Sequence, residues 1–449
     1  MIPVETRPRN GVIDAVTSAW TADTLRGRFA RGAVWSFIGA VLAQGSNLAA
    51  SILAARVLGK EQFGEYGMIQ STIGMLGTFA GLGLGVTTTK YVAEFRDKDP
   101  DKVGRIIALG WVIAVLFSGL LTVGLFVYAP LLAVKTLNAP HLASGLRIGC
   151  ALLFLNAFNG AQIGAFSGFE AFREVARINL VRGLIGLPLT FAGVYFWQID
   201  GAIWALVATA AITCALSQAL LRNKCRSLGI HPRLSDSWVE RRVLWTFSTP
   251  AFLSGILVGP AIWAANTMLV NQAGGYAEMG ILSAATQWRN AIGFIPGVLG
   301  QFALPILANL NGEEDLRRYG KALRWNLLLT ALAATAVALP VALGSFQIMR
   351  LYGRSFQNGA CVLVISAATG VVSSVNGVVG TAILSSRSVW VGFAFNAMWA
   401  ALFLVGSYLL IPAHLALGLA SAMLGAYMAH TLWQAAYLRR HLAPPMPIG

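Results

Sequence analysis

VWVGFAFNAMWAALFLVGSYLL, residues 389–410, is followed by IPAH and then by LALGLASAMLGAYMAHTLWQAAY, residues 415–437, without one Asp, Glu, Lys or Arg. Each run is close to the ~20 residues a helix needs to cross a hydrocarbon core of ~30 Å. The proline and histidine of Ile411-Pro412-Ala413-His414 mark a connector between them. The same pattern recurs back to Trp35, with apolar runs at 33–57, 66–89, 106–129, 146–168, 178–197, 202–221, 246–270, 277–303, 324–345 and 359–384. Composition agrees: 56% hydrophobic and 11% charged residues, a mean hydropathy of +0.66, against roughly 25% charged in a soluble domain. The expected fold class is all-α, a polytopic membrane protein of twelve transmembrane helices. The first run starts near Ala33 and is too long for a cleaved signal peptide, so it reads as a span.

The basic residues orient these spans. With the N-terminus in the cytoplasm, the inner connectors hold Arg7, Arg9, Arg26, Arg28 and Arg31; Lys90, Arg96, Lys98, Lys102 and Arg105; Arg173, Arg177 and Arg182; the 222–242 cluster; Arg317, Arg318, Lys321 and Arg324; Arg387; Arg439 and Arg440. The outer connectors hold only Arg56, Lys60, Lys135, Arg147, Arg350 and Arg354. Cytoplasmic loops carry an excess of Lys and Arg, so both termini are expected inside, in a bacterial cytoplasmic (inner) membrane. Tryptophans near span ends, among them Trp111, Trp197, Trp204, Trp245, Trp390 and Trp433, fit an interfacial belt.

Two copies of one unit are also visible. Glu65-Tyr66-Gly67-Met68 and Glu278-Met279-Gly280-Ile281 each open the second span of a half, and a three-residue slip later aligns Gly77, Gly81 and Gly104 with Gly293, Gly297 and Gly320. The chain divides into a cytoplasmic N-terminal segment 1–32, a six-helix bundle 33–221, a basic cytoplasmic linker 222–245, a second six-helix bundle 246–438 and a cytoplasmic tail 439–449. Such parallel repeats place a substrate site between the halves.

Catalytic signatures are missing. His141, His231, His414, His430 and His441 are scattered, and no HExxH, GxSxG or Walker pattern occurs. Cys150, Cys214, Cys225 and Cys361 form no CxxC pair, so neither disulfide nor zinc site is expected. No enzyme and no cofactor are predicted. The +15 net charge sits in short connectors without a nucleic-acid motif, and no nucleic-acid partner is expected. No carboxylate falls mid-span, which argues against ion-coupled export of cations or drugs.

The second and eighth spans are the informative ones. At 100° per residue, Tyr66, Gly67, Gln70, Gly74, Gly77, Gly81, Gly85 and Thr88 share one arc, opposite Met75, Phe79, Leu82 and Val86. The eighth span repeats this with Thr286, Arg289, Asn290, Gly293, Gly297 and Gly300. Small faces let helices pack closely in lipid, or they line a cavity. Arg289 adds a cation some 20 Å from the outer end of its span, at ~1.5 Å per residue, too deep for easy snorkelling. It is either a cavity cation or a structural one, bonding carbonyls freed by a kink at Pro296. A guanidinium suits phosphate, so an anionic cargo follows from the first reading. The candidate substrate-binding residues are Arg289, Asn290, Thr286, Gln70, Gln44, Asn47 and Lys90. Lys90 and the Arg26, Arg28, Arg31 group either anchor to anionic lipid headgroups or recruit a phosphate-bearing lipid. Asn156, Asn159 and Gln162, at i, i+3 and i+6, either touch sugar hydroxyls or bond other helices.

The motifs Ala55-Arg56-Val57-Leu58-Gly59, Phe63-Gly64-Glu65-Tyr66-Gly67, Gly81-Leu82-Gly83-Leu84-Gly85, Tyr91-Val92-Ala93-Glu94 and Leu351-Tyr352-Gly353-Arg354-Ser355-Phe356 resemble the Wzx-type polysaccharide and oligosaccharide-lipid flippases of the multidrug/oligosaccharidyl-lipid/polysaccharide exporter superfamily. The resemblance runs from about Arg28 to Arg440. It implies a V-shaped pair of six-helix bundles around a cavity lined by the first, second, seventh and eighth spans, alternating between inward and outward access. It implies as cargo a polyprenyl-pyrophosphate-linked oligosaccharide or polysaccharide precursor, an anionic lipid-linked glycan. It implies as partners membrane lipids and polysaccharide assembly machinery. Lipid II flippases of the superfamily usually carry two further C-terminal spans, which this chain lacks. A small-molecule or drug exporter shares the twelve-span plan and is the alternative.

Overall fold

The structure, a computed structural model, describes residues 25–234, 236–241, 248, 252–253, 255–312, 316–385 and 389–441, with side chains from Gly39 onward except at 298–319, 321, 381–389 and 440–441. Arg7 and Arg9, Arg242, Trp245, Arg387 and the tail beyond His441 lie outside the described residues, as do the side chains of Arg26, Arg28 and Arg31.

Among the described residues the chain is entirely helical. The helices are α1 (Leu25–Gly81), α2 (Leu84–Phe95), α3 (Pro100–Lys135), α4 (Leu142–Gly168), α5 (Phe172–Ser227), α6 (Val258–Val270), α7 (Gly275–Gly312), α8 (Leu316–Leu343), α9 (Ser345–Tyr352), α10 (Ala360–Ser385) and α11 (Val389–His441), with short 3-10 turns at Ser237–Arg241 and Arg354–Gly359. Seven helical stretches have the length and apolarity to cross a membrane. Three of these, Gly39–Phe95, Phe172–Ser227 and Trp390–Arg439, run to 50 residues or more, about twice what one crossing takes. Each contains a break: Gly59 (φ 77°), Trp197-Gln198 (Gln198 φ 53°) and Leu415 (φ 49°). The connectors read from sequence at 198–201 and 411–414 are thus tight reversals between two helical legs.

The α5 and α11 reversals share one geometry. Gln198 (φ 53°, ψ −131°) and Leu415 (φ 49°, ψ −125°) have nearly the same backbone angles. A glycine follows each three residues on, and the legs press together there. A Cβ on Gly201 would lie 1.9 Å from Gly193 O, and one on Gly418 would lie 2.3 Å from Leu410 O. Only glycine fits such an approach.

The same recurrence appears where α1 meets α7. A Cβ on Gly64 would sit 1.8 Å from Tyr276 O, and one on Gly280 2.1 Å from Lys60 O, so the two glycines face each other reciprocally. One turn further on, a Cβ on Gly67 would meet Ser283 Oγ at 2.1 Å. Arg56 Nε donates to Leu351 O at 2.5 Å, and Asn271 Nδ2 donates to Thr136 O at 2.9 Å. All of these pairs keep, to within a residue, the displacement that relates Gly77 to Gly293. The sequence reading set Gly67 beside Gly280; in the structure Gly64 is the glycine that meets Gly280.

Two further expectations are corrected. The second span is interrupted at Leu82 (φ 41°) and Gly83 (φ 67°), where α1 ends and α2 begins; two glycines around one leucine give the chain the left-handed freedom to turn. Arg182, counted with the connector charges Arg173 and Arg177, lies inside α5. Of the belt tryptophans, Trp197, Trp204 and Trp390 are exposed, and Trp111 also packs on Phe158 with ring centroids 6.1 Å apart. The outer surface of α3 is apolar, with Leu120, Val123, Val127 and Leu131 exposed, as a lipid-facing helix requires.

Candidate functional site between the second and eighth spans

Below the Gly64–Gly280 contact, α1 and α7 separate and leave a cavity of about 220 Å³. Gln70, Ser71, Asn266, Ser283, Thr286, Gln287, Arg289 and Asn290 supply its polar wall, and Phe63, Tyr66, Ile262, Met279, Leu419 and Met423 its apolar one. Four of the sequence candidates, Gln70, Thr286, Arg289 and Asn290, meet here. The wall is fastened by bonds between α1 and α6: Asn266 Nδ2 donates to Ser71 Oγ at 2.9 Å, and Trp263 Nε1 to Thr72 Oγ1 at 3.0 Å.

Arg289 is half-buried, and its Nη1 contacts Met423 Sδ on α11. α7 continues through Pro296, and among the described residues no hydrogen bond ties the guanidinium to a carbonyl near that proline. Among the described residues no carboxylate lies within ion-pair distance of it; the ion pairs are Arg96 with Asp97 and Glu170, Arg105 with Glu240, and His141 with Glu65. Thioether sulfur is a weak acceptor, so most of the guanidinium's donors are left for a guest.

A second cavity, of about 370 Å³, lies on the helices before Ser227, walled by Asn47, Gln70, Ile73, Gly74, Gly77, Leu152, Leu153, Asn156, Arg182, Leu206, Thr209 and Ala210. Gln70 belongs to both walls. The glycine stripe of the second span divides accordingly. Cβ atoms on Gly74, Gly77 and Gly81 would meet nothing within 4 Å, whereas Gly85 packs against α4, where a Cβ on Gly164 would lie 2.3 Å from Gly85 O. Bare faces in the middle open space; those at the ends close helices.

The Asn156, Asn159, Gln162 trio splits in the same way. Asn159 Nδ2 donates to Ser217 Oγ at 3.2 Å, and Gln162 Nε2 to Gln218 Oε1 at 2.8 Å, both bonds between α4 and α5, while Asn156 faces the second cavity. Gln44 and Lys90 line neither cavity; Lys90 Nζ lies 5.2 Å from the Tyr91 ring centroid. Sequence reasoning missed Asn266, Ser283, Gln287 and Arg182. Gln287 and Ser283 flank Thr286 in the stripe that was read, but nothing in a single span announces Asn266, which enters from α6.

The sequence matches the polysaccharide biosynthesis protein family over residues 29–311. The chain belongs to this family. It is 23% identical to the EPS I polysaccharide export inner membrane protein EpsE of Ralstonia nicotianae, over 91% of this chain and 93% of that one. It is 24% identical to the lipid III flippase of Escherichia coli K12, over 89% and 96%. Among solved structures it is similar to an inward-facing multidrug resistance MATE family transporter of the MOP superfamily, with a TM-score of 0.69, 15% identity and coverage of 92% and 100%. A MOP superfamily transporter from Pyrococcus furiosus, described as having a binding pocket of reverse polarity, gives a TM-score of 0.68 at 15% identity over 94% and 97%. These structural likenesses establish the fold of this family member, an all-helical one.

Proposed function

We propose that the protein translocates a polyprenyl-pyrophosphate-linked oligosaccharide, or a related polysaccharide precursor, across the cytoplasmic membrane by alternating access. The carrying observation is Arg289, a cation without a carboxylate partner among the described residues, in a cavity between α1 and α7. A guanidinium there attracts an anionic head group while the lipid tail stays in the bilayer. The relatives named for polysaccharide export and lipid III flipping cover nearly the whole chain, which supports the same class of cargo.

In this reading the doubled helices each cross twice, giving twelve spans in two six-helix bundles, 33–221 and 246–438. The recurring reversals and the reciprocal Gly64–Gly280 contact support a parallel repeat whose axis runs along the membrane normal. The excess of Lys and Arg in one set of connectors supports a cytoplasmic position for both termini. Membrane lipids and the polysaccharide assembly machinery are the proposed partners. The cavity lining favours this reading over a drug exporter, because neither described cavity has an Asp or Glu in its wall to meet a cationic drug.

A deletion strain tests it. Accumulation of polyprenyl-linked glycan on the cytoplasmic leaflet, with loss of surface polysaccharide and rescue by the wild-type gene, is the expected outcome. Intact surface glycan with new drug sensitivity would overturn it.

A further inference from the structure

The basic linker after α5 is fastened to the molecule. α5 ends at Ser227, Gly229 turns the chain with φ 66°, and the residues that follow fold back onto the start of α3. A Cβ on Gly104 would lie 2.7 Å from His231 O, so only glycine lets the linker come this close. Ile230 is buried in one cluster with Val103, Ile107 and Leu221. Further along, Arg105 Nε donates to Glu240 Oε1 at 3.1 Å, an ion pair mostly shielded from water, with side chains 28% and 13% exposed.

These contacts fix the level at which the linker lies. Arg105 immediately precedes Ile106, where the apolar run of α3 begins, and Arg222 closes the apolar run of α5. The two arginines mark where hydrocarbon gives way to headgroups, and Glu240 stands beside one of them. Trp238 and Val239 lie within about 7 Å of chain from Glu240, yet both are exposed, as are Leu228 and Leu234. Large apolar side chains turned away from the protein at that level match an interfacial segment, whose tryptophans and aliphatic groups dip into the acyl boundary. Charge points the same way. Arg222, Arg226, Arg233 and Arg241 are exposed, and among the described residues none of them has an acidic partner. Of the two acids in this stretch, Glu240 is taken by Arg105 and Asp236 alone remains to oppose them. Basic residues beside exposed apolar groups complement an anionic bilayer surface.

We propose that the linker from Leu228 to Arg241 is a membrane-surface contact. Leu234, Trp238 and Val239 seat at the acyl boundary, and Arg226, Arg233 and Arg241 bind the anionic phospholipid headgroups of the same leaflet. Because Glu240 and His231 tie this strap to α3, headgroups that grip it also grip the helices before Ser227. The contact holds for whichever leaflet this face meets, and it does not depend on the nature of the cargo.

Fluorescence quenching tests it in the full chain reconstituted in vesicles of equal parts phosphatidylcholine and phosphatidylglycerol. With Cys361, the exposed native thiol, replaced by serine, bimane is attached to the thiol of Val239→Cys. A second variant carries the label at Asp97→Cys, a water-facing reference whose native side chain is 85% exposed. Bromination of the lipid acyl chains is expected to quench the label at 239 at least twofold, and aqueous iodide to quench it at least threefold less than the label at 97. Bromine on the phosphatidylglycerol alone is expected to quench at least half again as strongly as bromine on the phosphatidylcholine alone. Arg226→Gln, Arg233→Gln and Arg241→Gln together should abolish that preference. Equal iodide quenching at both positions, without quenching by brominated chains, means that the strap faces water and overturns the proposal. Equal quenching by the two brominated lipids, or a preference that survives the triple substitution, overturns the headgroup assignment. Shielding from iodide in native membrane vesicles that disappears in pure lipid identifies a protein occupant instead, and overturns it too. The readout is independent of flipping, so a strap seated in lipid on a chain that moves no glycan would count against the translocation reading alone.

Discussion

At the residue scale, a guanidinium inside the bilayer is stable only where it faces protein or water. Arg289 meets that condition by turning into the cavity and resting on Met423. Arg289→Ala is expected to lower surface-glycan export at least tenfold with unchanged protein level, and Arg289→Lys to retain part of it, since a point charge replaces a planar fork. Full export in both variants, measured by complementation with immunoblot control, would remove the cavity-cation role. Two glycines of one helix behave oppositely. Gly64→Ala forces a methyl into Tyr276 O and should cost about 1–3 kcal/mol, as overpacking does, seen as a lower melting temperature of the purified protein. Gly74→Ala meets nothing within 4 Å and should stabilise by up to about 1 kcal/mol while narrowing the second cavity; a common outcome for both glycines would contradict these contacts. Arg289 was legible in the sequence because it stands mid-span without a neighbouring charge. Arg182 was not, because Arg173 and Arg177 precede it at helical spacing and a run of basic residues reads as a connector until the helix is seen to begin at Phe172.

At the element scale, the long apolar helices were legible from apolar length, and the way they turn was not. Hydropathy fixes how much chain lies in lipid, but Gln198 and Leu415 reverse direction through backbone angles that carry no compositional mark. The break at Leu82-Gly83 was hidden for a related reason. Its residues are apolar, and only the positive φ angles distinguish a bend from a continuous helix. Gly67 resembled a match for Gly280 in the sequence, and only the structure shows that Gly64 is the glycine that meets it. At the end of the molecule where α1 and α7 cross, Arg56 and Asn271 reach in opposite senses to the carbonyls of Leu351 and Thr136. Arg56→Ala and Asn271→Ala should each destabilise by about 1 kcal/mol, in line with a single hydrogen bond. Bonds made at separate contacts add nearly independently, so the double variant should lose about the sum in thermal unfolding. A large non-additive term would mean that the two contacts are one unit.

At the scale of the whole molecule, the charge asymmetry and the helical hairpins make one statement about orientation. A green fluorescent protein fused after His441 should fluoresce, and alkaline phosphatase fused there should stay inactive, because both termini are assigned to the cytoplasm. A cysteine at Lys135, assigned outside, should react with an impermeant maleimide in intact cells. The opposite pattern at either place would overturn the topology. The overall architecture was readable because lipid imposes a single rule on backbone polar groups, that helices satisfy them internally. The cavities were not, since each is made by residues from several spans whose mutual approach is set by glycines far along the chain from one another.

The reciprocal meeting of Gly64 with Gly280, and of Lys60 O with the face that Gly280 bares, has the form of an isologous contact, in which one patch is its own complement. The tolerance of the two sides is therefore shared: a side chain added at either glycine meets a backbone carbonyl of the facing helix, so neither position can change while the other stays in place.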